Sequence, residues 1–245
     1  MEGLRVKHMA KCLIIIPAYN EEKNIENLVE NLKNNYPQYD YIIVNDCSTD
    51  ETKKICKRNN YQVLNLPINM GIGGAVQSGY RYARENDYEY AVQIDGDGQH
   101  DVAYLAGMLQ KLEEKEADIV VGSRFVEKEG FQSSAARRAG IIFLSRLCHF
   151  LTGIRVKDIT SGYRIANRRF INIFADDYPA DYPEPEAMVM AAVHGGRVLE
   201  YPVIMKERQG GESSITLKRS FYYMIKVSLA MMIRRLSMGI RRAKA

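Results

Sequence analysis

Short runs of apolar, mostly β-branched residues recur along the first half of the chain, each followed by a stretch with helical patterning. They are Leu13-Ile14-Ile15-Ile16, Tyr41-Ile42-Ile43-Val44, 62–66, 90–94 and 118–121. Runs without polar alternation suit strands buried on both faces. Helical patterns at about 23–34, from near 49, at 74–84 and at 103–115 separate them. That order predicts an α/β fold with a mostly parallel sheet flanked by helices.

After Gly122 the rhythm changes. A loop is expected over 123–134, a helix over 137–151, a turn at 158–163 and a short helix over 168–174. Three prolines between Tyr178 and Pro185 favour extended or turn structure. A helix over 185–194, a strand over 198–203, a polar loop over 207–214 and a long amphipathic helix over 217–240 complete the reading. No repeat or linker divides the chain.

The net charge of +4 hides an asymmetry. Residues 206–245 hold ten basic and two acidic residues, +8, which leaves 24 basic and 28 acidic residues, −4, for the rest. A basic tail on an acidic body suggests an anionic partner. Nucleic acid is disfavoured because no binding motif accompanies the charge. A membrane surface or a small integral-membrane partner is the expectation, with Leu217, Phe221, Met224, Ile225, Met231, Met232 and Leu236 as the apolar stripe. The competing reading is a helix that packs into the core. Cys12, Cys47, Cys56 and Cys148 form no CxxC pair, which argues against zinc ribbons and thioredoxin chemistry and for a reducing compartment. The first apolar run ends at Pro17, too short for a signal peptide. The expected location is therefore cytoplasmic, peripheral on the inner face of the membrane.

In parallel α/β sheets, ligands bind beyond the carboxyl ends of the strands. Those ends here are polar: Pro17-Ala18-Tyr19-Asn20-Glu21-Glu22, Asn45-Asp46-Cys47-Ser48-Thr49-Asp50, Asn69-Met70-Gly71-Ile72-Gly73-Gly74 and Asp95-Gly96-Asp97-Gly98-Gln99-His100. Asp95 and Asp97, with a small residue between them, can approach one site and hold Mg2+ or Mn2+, which favours oxygen ligands and bridges phosphates. Gln99 and His100 add donors. The bland alternative is a solvated Asp-Gly turn. A dinucleotide fingerprint requires glycines in the first turn. PAYNEE has none, and its acids would repel a pyrophosphate unless a cation lay between. The pattern favours a metal-bound nucleotide diphosphate over NAD.

PAYNEE, NDCSTDET, NMGIGGA and DGDGQH, in this order and spacing, resemble the family-2 glycosyltransferases with the GT-A (Rossmann-like) fold. VVGSRF, DITSGYR and RQGGESS are most similar to the polyprenyl-phosphate sugar transferases, including the dolichol-phosphate mannosyltransferase group. The resemblance covers 12 to about 216. It implies a glycosyltransferase domain over 1–216, with a nucleotide-sugar half at about 12–124 and an acceptor half at about 125–216, followed by the basic helix of 217–245. It further implies that Pro17, Ala18, Tyr19 and Glu21 line the nucleoside pocket and that Asp46 contacts the donor base. Gly73 would let the backbone approach the nucleoside. Asp95, Gly96 and Asp97 form the DxD motif, with Gln99 a further metal ligand. Arg124, with Arg137 or Arg138, grips the acceptor phosphate, and Arg208 closes over the donor diphosphate.

The implied reaction is inverting, metal-dependent transfer from a nucleotide-diphosphate sugar to a polyprenyl phosphate. The segment Tyr182-Pro183-Glu184-Pro185-Glu186 instead resembles members from bacterial cell-surface polysaccharide clusters, which implies transfer to a hydroxyl of a lipid-linked glycan. A hydroxyl acceptor needs a carboxylate base, with Asp158, Glu184 and Glu186 as candidates. The plainer roles are capping for Asp158 and helix-dipole stabilisation for Glu186. A nucleotidyltransferase would also use carboxylates and a metal, but it should carry a glycine- and basic-rich first loop, which PAYNEE is not.

Overall fold

The computed structural model describes residues 11–127, 135–205 and 217–243. Among the described residues seven strands form one sheet: β1 (Cys12–Ala18), β2 (Asp40–Asn45), β3 (Val63–Asn65), β4 (Tyr90–Gln93), β5 (Ile119–Ser123), β6 (Arg164–Asn167) and β7 (Val198–Pro202). Their order is β3-β2-β1-β4-β6-β5-β7. All pairings are parallel except those of β6, which runs antiparallel to both β4 and β5.

The helices are α1 (Ile25–Asn35), α2 (Thr52–Arg58), α3 (Gly71–Glu85), α4 (Leu105–Glu114), α5 (Ala135–Thr152), α6 (Arg168–Asp176), α7 (Pro183–Val193) and α8 (Leu217–Ala243). Successive residues of a strand point to opposite faces, so each central strand feeds two cores. Leu13, Ile15, Val44, Ala91 and Val121 face the layer of α3, α5, α6, α7 and α8. Ile14, Ile16, Ile43, Val92 and Val120 face α1, α2 and α4.

β6 departs from the sequence reading, which passed from a turn at 158–163 straight to a helix. Its four residues, Arg-Ile-Ala-Asn, carry polar ends and give no apolar run. Long-range pairing makes it a strand: Val92 and Val120 both register against Ile165. The buried Arg164 guanidinium donates to the carbonyls of Ser161 (2.7 Å), Ile159 (2.8 Å) and Glu184 (2.5 Å). The charge is thus dispersed over backbone oxygens, and the turn before β6 is tied to the start of α7.

α8 is apolar on two faces. Val227 and Met231 are fully buried and Met224 is partly buried. Two of the residues expected to face a membrane, Met224 and Met231, therefore pack inward. Ile225, Leu229, Ile233 and Leu236 are exposed. Among the described residues, no helix is long and apolar enough to cross a membrane.

Candidate active site

The loops after β1 and β2 brace one another. Asn20, in the left-handed region at φ 58°, uses Oδ1 to accept the Thr49 N–H at 2.8 Å. The Glu21 N–H donates to Thr52 Oγ1 (2.9 Å) and the Glu22 N–H to Asp50 Oδ2 (3.1 Å). Burial works against ionisation of Asp50, yet hydrogen bonds from Thr52 and from the Glu22 N–H hold its carboxyl below the ordinary range. The motifs PAYNEE and NDCSTDET thus act as one rigid shelf.

Beyond the carboxyl ends of β1, β2 and β4 lies an open cleft of about 410 Å³. Pro17, Ala18, Tyr19 and Glu21 line one wall, Asp46 the next, and Asp95, Gly96 and Asp97 the floor. Asp46 is buried and accepts the Met70 N–H at 2.7 Å. That bond fixes the turn into α3, where Gly71 adopts φ 74°, a conformation that costs glycine little. Asn69, Gly71, Ile72, Ala75 and Glu184 complete the lining.

Of the sequence-predicted donor residues, Gly73 stands apart. It is buried, and a Cβ there would come within 2.1 Å of the Pro179 carbonyl oxygen and 2.4 Å of that of Ala180. Its small size serves helix-to-loop packing; Gly71 is the glycine of this turn that lines the cleft.

The Asp95 carboxylate is about one-third exposed, and Asp97 is buried. Asp95 Oδ1 accepts from Gln93 Nε2 at 3.0 Å. The Gln99 N–H donates to Asp97 Oδ1 at 3.1 Å. Gln99 does not line the cleft; its backbone orients a neighbouring carboxylate instead. His100 is also redirected. It is buried and stacked on Tyr163 with ring centroids 5.0 Å apart. Its Nδ1 accepts the Asp95 N–H at 3.0 Å, and its Nε2 stands 3.8 Å from Asp95 Oδ2. Gly162 lies on the same carboxylate: a Cβ there would stand 3.1 Å from each Asp95 oxygen.

Among the described residues no three His, Cys, Asp or Glu side chains form a metal-holding group. Two carboxylates on an open floor match a Mg2+-type ion instead, which takes one or two protein carboxylates and completes its shell with phosphate oxygens and water. Asp95 and Asp97 fit such an ion.

The acceptor-side expectations change more. Arg124 and Asp158 bind each other. Nε reaches Oδ2 and Nη2 reaches Oδ1, both at 2.7 Å, and the Arg124 N–H adds a third bond to Oδ2 at 3.1 Å. Their side chains are 8% and 0% exposed. The Asp158 N–H donates to Glu200 Oε1 at 2.9 Å. Asp158 is a buried counter-ion and not an open base. Arg124 meets a carboxylate of its own chain where an acceptor phosphate was expected.

Glu186 is likewise buried and pairs with Arg234 Nε of α8 at 2.9 Å, while Arg234 Nη1 reaches Asp177 at 3.1 Å. It fastens the C-terminal helix to α7. Glu184, half-buried, is the candidate base that lines the cleft. Burial raises its carboxyl above the ordinary value, Arg164 opposes the rise, and Asp95 adds to it. Arg137 and Arg138 are exposed at the start of α5. Burial, and then the Glu184 charge, pushes the Tyr223 phenol up to about 12, while Arg137 opposes the rise. Arg208 lies outside the described residues.

A mixed sheet with a carboxylate pair just beyond β4, lining an open cleft at the strand ends, is the GT-A scaffold. The family model described as Glycosyl transferase family 2 matches residues 13–174, and the chain belongs to that family. A UDP-N-acetylglucosamine–dolichyl-phosphate N-acetylglucosaminyltransferase of Methanococcus voltae is 33% identical over 211 residues, 78% of this chain and 83% of that protein. An undecaprenyl-phosphate mannosyltransferase of Micrococcus luteus is 29% identical over 215 residues, 84% of this chain and 88% of the other. Among solved structures, glucosyl-3-phosphoglycerate synthase from Mycobacterium tuberculosis with Mn2+, UDP and phosphoglyceric acid superposes with a TM-score of 0.68. It shares 16% identity and covers 93% of this chain and 79% of that one. The protein is a glycosyltransferase resembling the prenyl-phosphate sugar transferases, and the nucleotidyltransferase alternative falls.

Proposed function

We propose that the enzyme moves a sugar, with inversion, from a nucleotide-diphosphate donor to a polyprenyl phosphate at the cytoplasmic face of a membrane. The observation that carries the reading is the cleft, where Asp95 and Asp97 share a floor with the Tyr19 and Asp46 walls. The relatives named for undecaprenyl- and dolichyl-phosphate transfer support the acceptor class. In this reading residues 12–124 hold the donor and about 125–216 the acceptor.

Asp95 and Asp97 would hold Mg2+ or Mn2+, which supplies charge neutralisation to a departing diphosphate. Tyr19 and Asp46 grip the nucleoside. His100, Gln93 and the Gln99 N–H keep the two carboxylates oriented. Arg208 adds positive charge over the diphosphate. An acceptor phosphate is anionic at neutral pH and needs no general base, so the loss of Asp158 to an ion pair costs the reaction nothing. Arg137 or Arg138, exposed at the start of α5 within the acceptor half, is the arginine that meets it.

Glu184 favours a second reading. A carboxylate raised by burial and directed at the cleft suits a general base for a sugar hydroxyl on a lipid-linked glycan.

Incubation with a panel of nucleotide sugars, Mn2+ and either polyprenyl phosphate or a lipid-linked glycan separates the two. The expected product is a lipid-phosphate sugar that is lost in Asp97→Ala and retained in Glu184→Gln. Turnover only on the glycan, abolished by Glu184→Gln, would establish the second reading. An undiminished rate in Asp97→Ala would refute the metal assignment.

A further inference from the structure

Helix α7 opens on Pro183-Glu184-Pro185-Glu186. A helix start ordinarily offers free backbone N–H groups to an anion. Here Pro183 and Pro185 have none to offer, and the Glu186 N–H donates to the Tyr182 carbonyl at 3.2 Å. The Glu184 N–H remains, and it bonds the carboxyl of its own side chain. This helix start is closed to phosphate and presents a carboxylate in its place.

The acids nearby are engaged by side chains of the protein. Glu186 takes Arg234 at 2.9 Å, Asp158 takes Arg124 at 2.7 Å, and Asp95 accepts from Gln93 at 3.0 Å. Glu184 differs. Among the described residues no side chain hydrogen-bonds to its carboxylate or pairs with it, although the residue is half-buried. Its acceptor capacity is open to the cleft that it lines. Burial disfavours its charge, and Arg164 supports it.

The mount of this carboxylate is stiff. Arg164 Nη1 donates to the Glu184 carbonyl at 2.5 Å. Tyr182 meets Tyr223 of α8 edge to face, with ring centroids 5.4 Å apart, and Arg234 of α8 holds Glu186. The residues on both sides of Glu184 are thus tied to α8 and its own carbonyl to β6, while the two prolines restrict the backbone between them. A rigidly held acceptor loses little entropy when a ligand binds, which favours selective recognition.

In the donor reading the nucleoside lies against Tyr19 and Asp46, and the diphosphate over Asp95 and Asp97. Glu184 lines the same cleft from the acceptor half, the side on which the sugar must stand to be transferred. An ionised carboxylate accepts hydrogen bonds from two hydroxyls at once and donates none. A sugar with a carboxylate of its own would bring like charges together beside Asp95.

We infer that Glu184 reads the donor sugar, accepting hydrogen bonds from the hydroxyls of a neutral hexose and turning away hexuronate donors. The inference deepens the donor reading above and rests on it. It differs from a general-base role because the contact is made with the donor alone, before any acceptor arrives.

Calorimetric titration with Mn2+ and no acceptor tests it. UDP and GDP come first, and the sugar donors follow the base that binds: UDP-glucose and UDP-N-acetylglucosamine against their uronates, or GDP-mannose against GDP-mannuronate. At neutral pH the parent should bind the neutral donor at least about tenfold more tightly than the uronate. Glu184→Gln keeps the shape and removes the charge. It should bring the two donors within about threefold of each other, with the Kd of the nucleotide diphosphate itself within about twofold of the parent's. Glu184→Asp keeps the charge and withdraws it by one methylene, so it should weaken the neutral donor and still reject the uronate. Thermal melts establish that both variants are folded. Equal Kd values for the two donors in the parent, or an unchanged ratio in folded Glu184→Gln, would overturn the proposal. So would a Glu184→Gln variant with the parent's donor affinities and no turnover, which would make Glu184 a base. With no acceptor present, failure to form a lipid-phosphate sugar leaves these results standing. A parent that binds neither nucleotide would defeat the donor reading, and this inference with it.

Discussion

At the scale of residues, the site divides by how far apart in sequence its partners lie. The donor wall is built from contiguous stretches that stand at strand ends, so Tyr19, Glu21, Asp46, Asp95 and Asp97 are legible once the strands are. The acceptor side depends on pairs that no local pattern announces. Arg124 and Asp158 are 34 residues apart, and Glu186 and Arg234 are 48 apart. Whether a charged residue serves a ligand or its own chain is decided by that distant partner. The consequence is measurable. Arg124→Ala should destabilise the fold by about 3–5 kcal/mol in a denaturant melt, because it strands the Asp158 charge in the core. The double change Arg124→Met/Asp158→Leu should cost much less than the two single changes together. Additive losses would deny the ion pair its role.

Glu184 supplies a second prediction at this scale, through its raised carboxyl. Below the unfolded-state value near pH 4.3 the group is protonated in both states and carries no penalty. As pH rises toward the raised folded value, the unfolded chain releases its proton first, and stability falls. Glu184→Gln removes that loss. The variant should therefore be more stable than the parent at neutral pH and equal to it at acid pH. A uniform shift at all pH values would mean that packing is responsible and titration is not.

At the scale of elements, five apolar runs and their intervening helices were readable because each satisfies its own period. β6 was not, since two apolar residues between Arg164 and Asn167 have no period to read, and only the pairing of Ile165 with both Val92 and Val120 makes them a strand. Its insertion separates β4 from β5 and carries the turn with Gly162 onto the Asp95 carboxylate. The acceptor half thereby buttresses the donor site. α3 shows the same dependence on context. Its glycine-rich start reads as a nucleoside contact, yet Gly73 meets the backbone at Pro179 and Ala180. Gly73→Ala should force that loop away at a cost of about 1–3 kcal/mol, lowering the melting temperature with little change in donor affinity. Gly71→Ala, at φ 74° and with open space around the added methyl, should cost about 1 kcal/mol and act on donor affinity as well. The reverse assignment of binding and stability effects would restore Gly73 to the nucleoside pocket.

At the scale of the whole molecule, the split between an acidic body and a basic tail becomes spatial. Glu21, Asp46, Asp95, Asp97 and Glu184 surround one cleft. Five carboxylates would oppose a nucleoside diphosphate, whose own charge has the same sign, unless a cation stands between them. The field therefore makes donor binding conditional on the ion. A ligand that binds only the native state at a hundredfold excess over its Kd adds about 2.7 kcal/mol. For a chain of this length, that raises the melting temperature by roughly 5–10 °C. UDP or GDP with Mn2+ should give such a rise for whichever base the Asp46 wall accepts. The same nucleotide with EDTA should give almost none, and Asp97→Ala should lose the Mn2+-dependent part while keeping its own melting temperature within a degree or two of the parent. Equal stabilisation with and without the ion would mean that basic residues outside the cleft floor neutralise the diphosphate, with Arg208 the first to test.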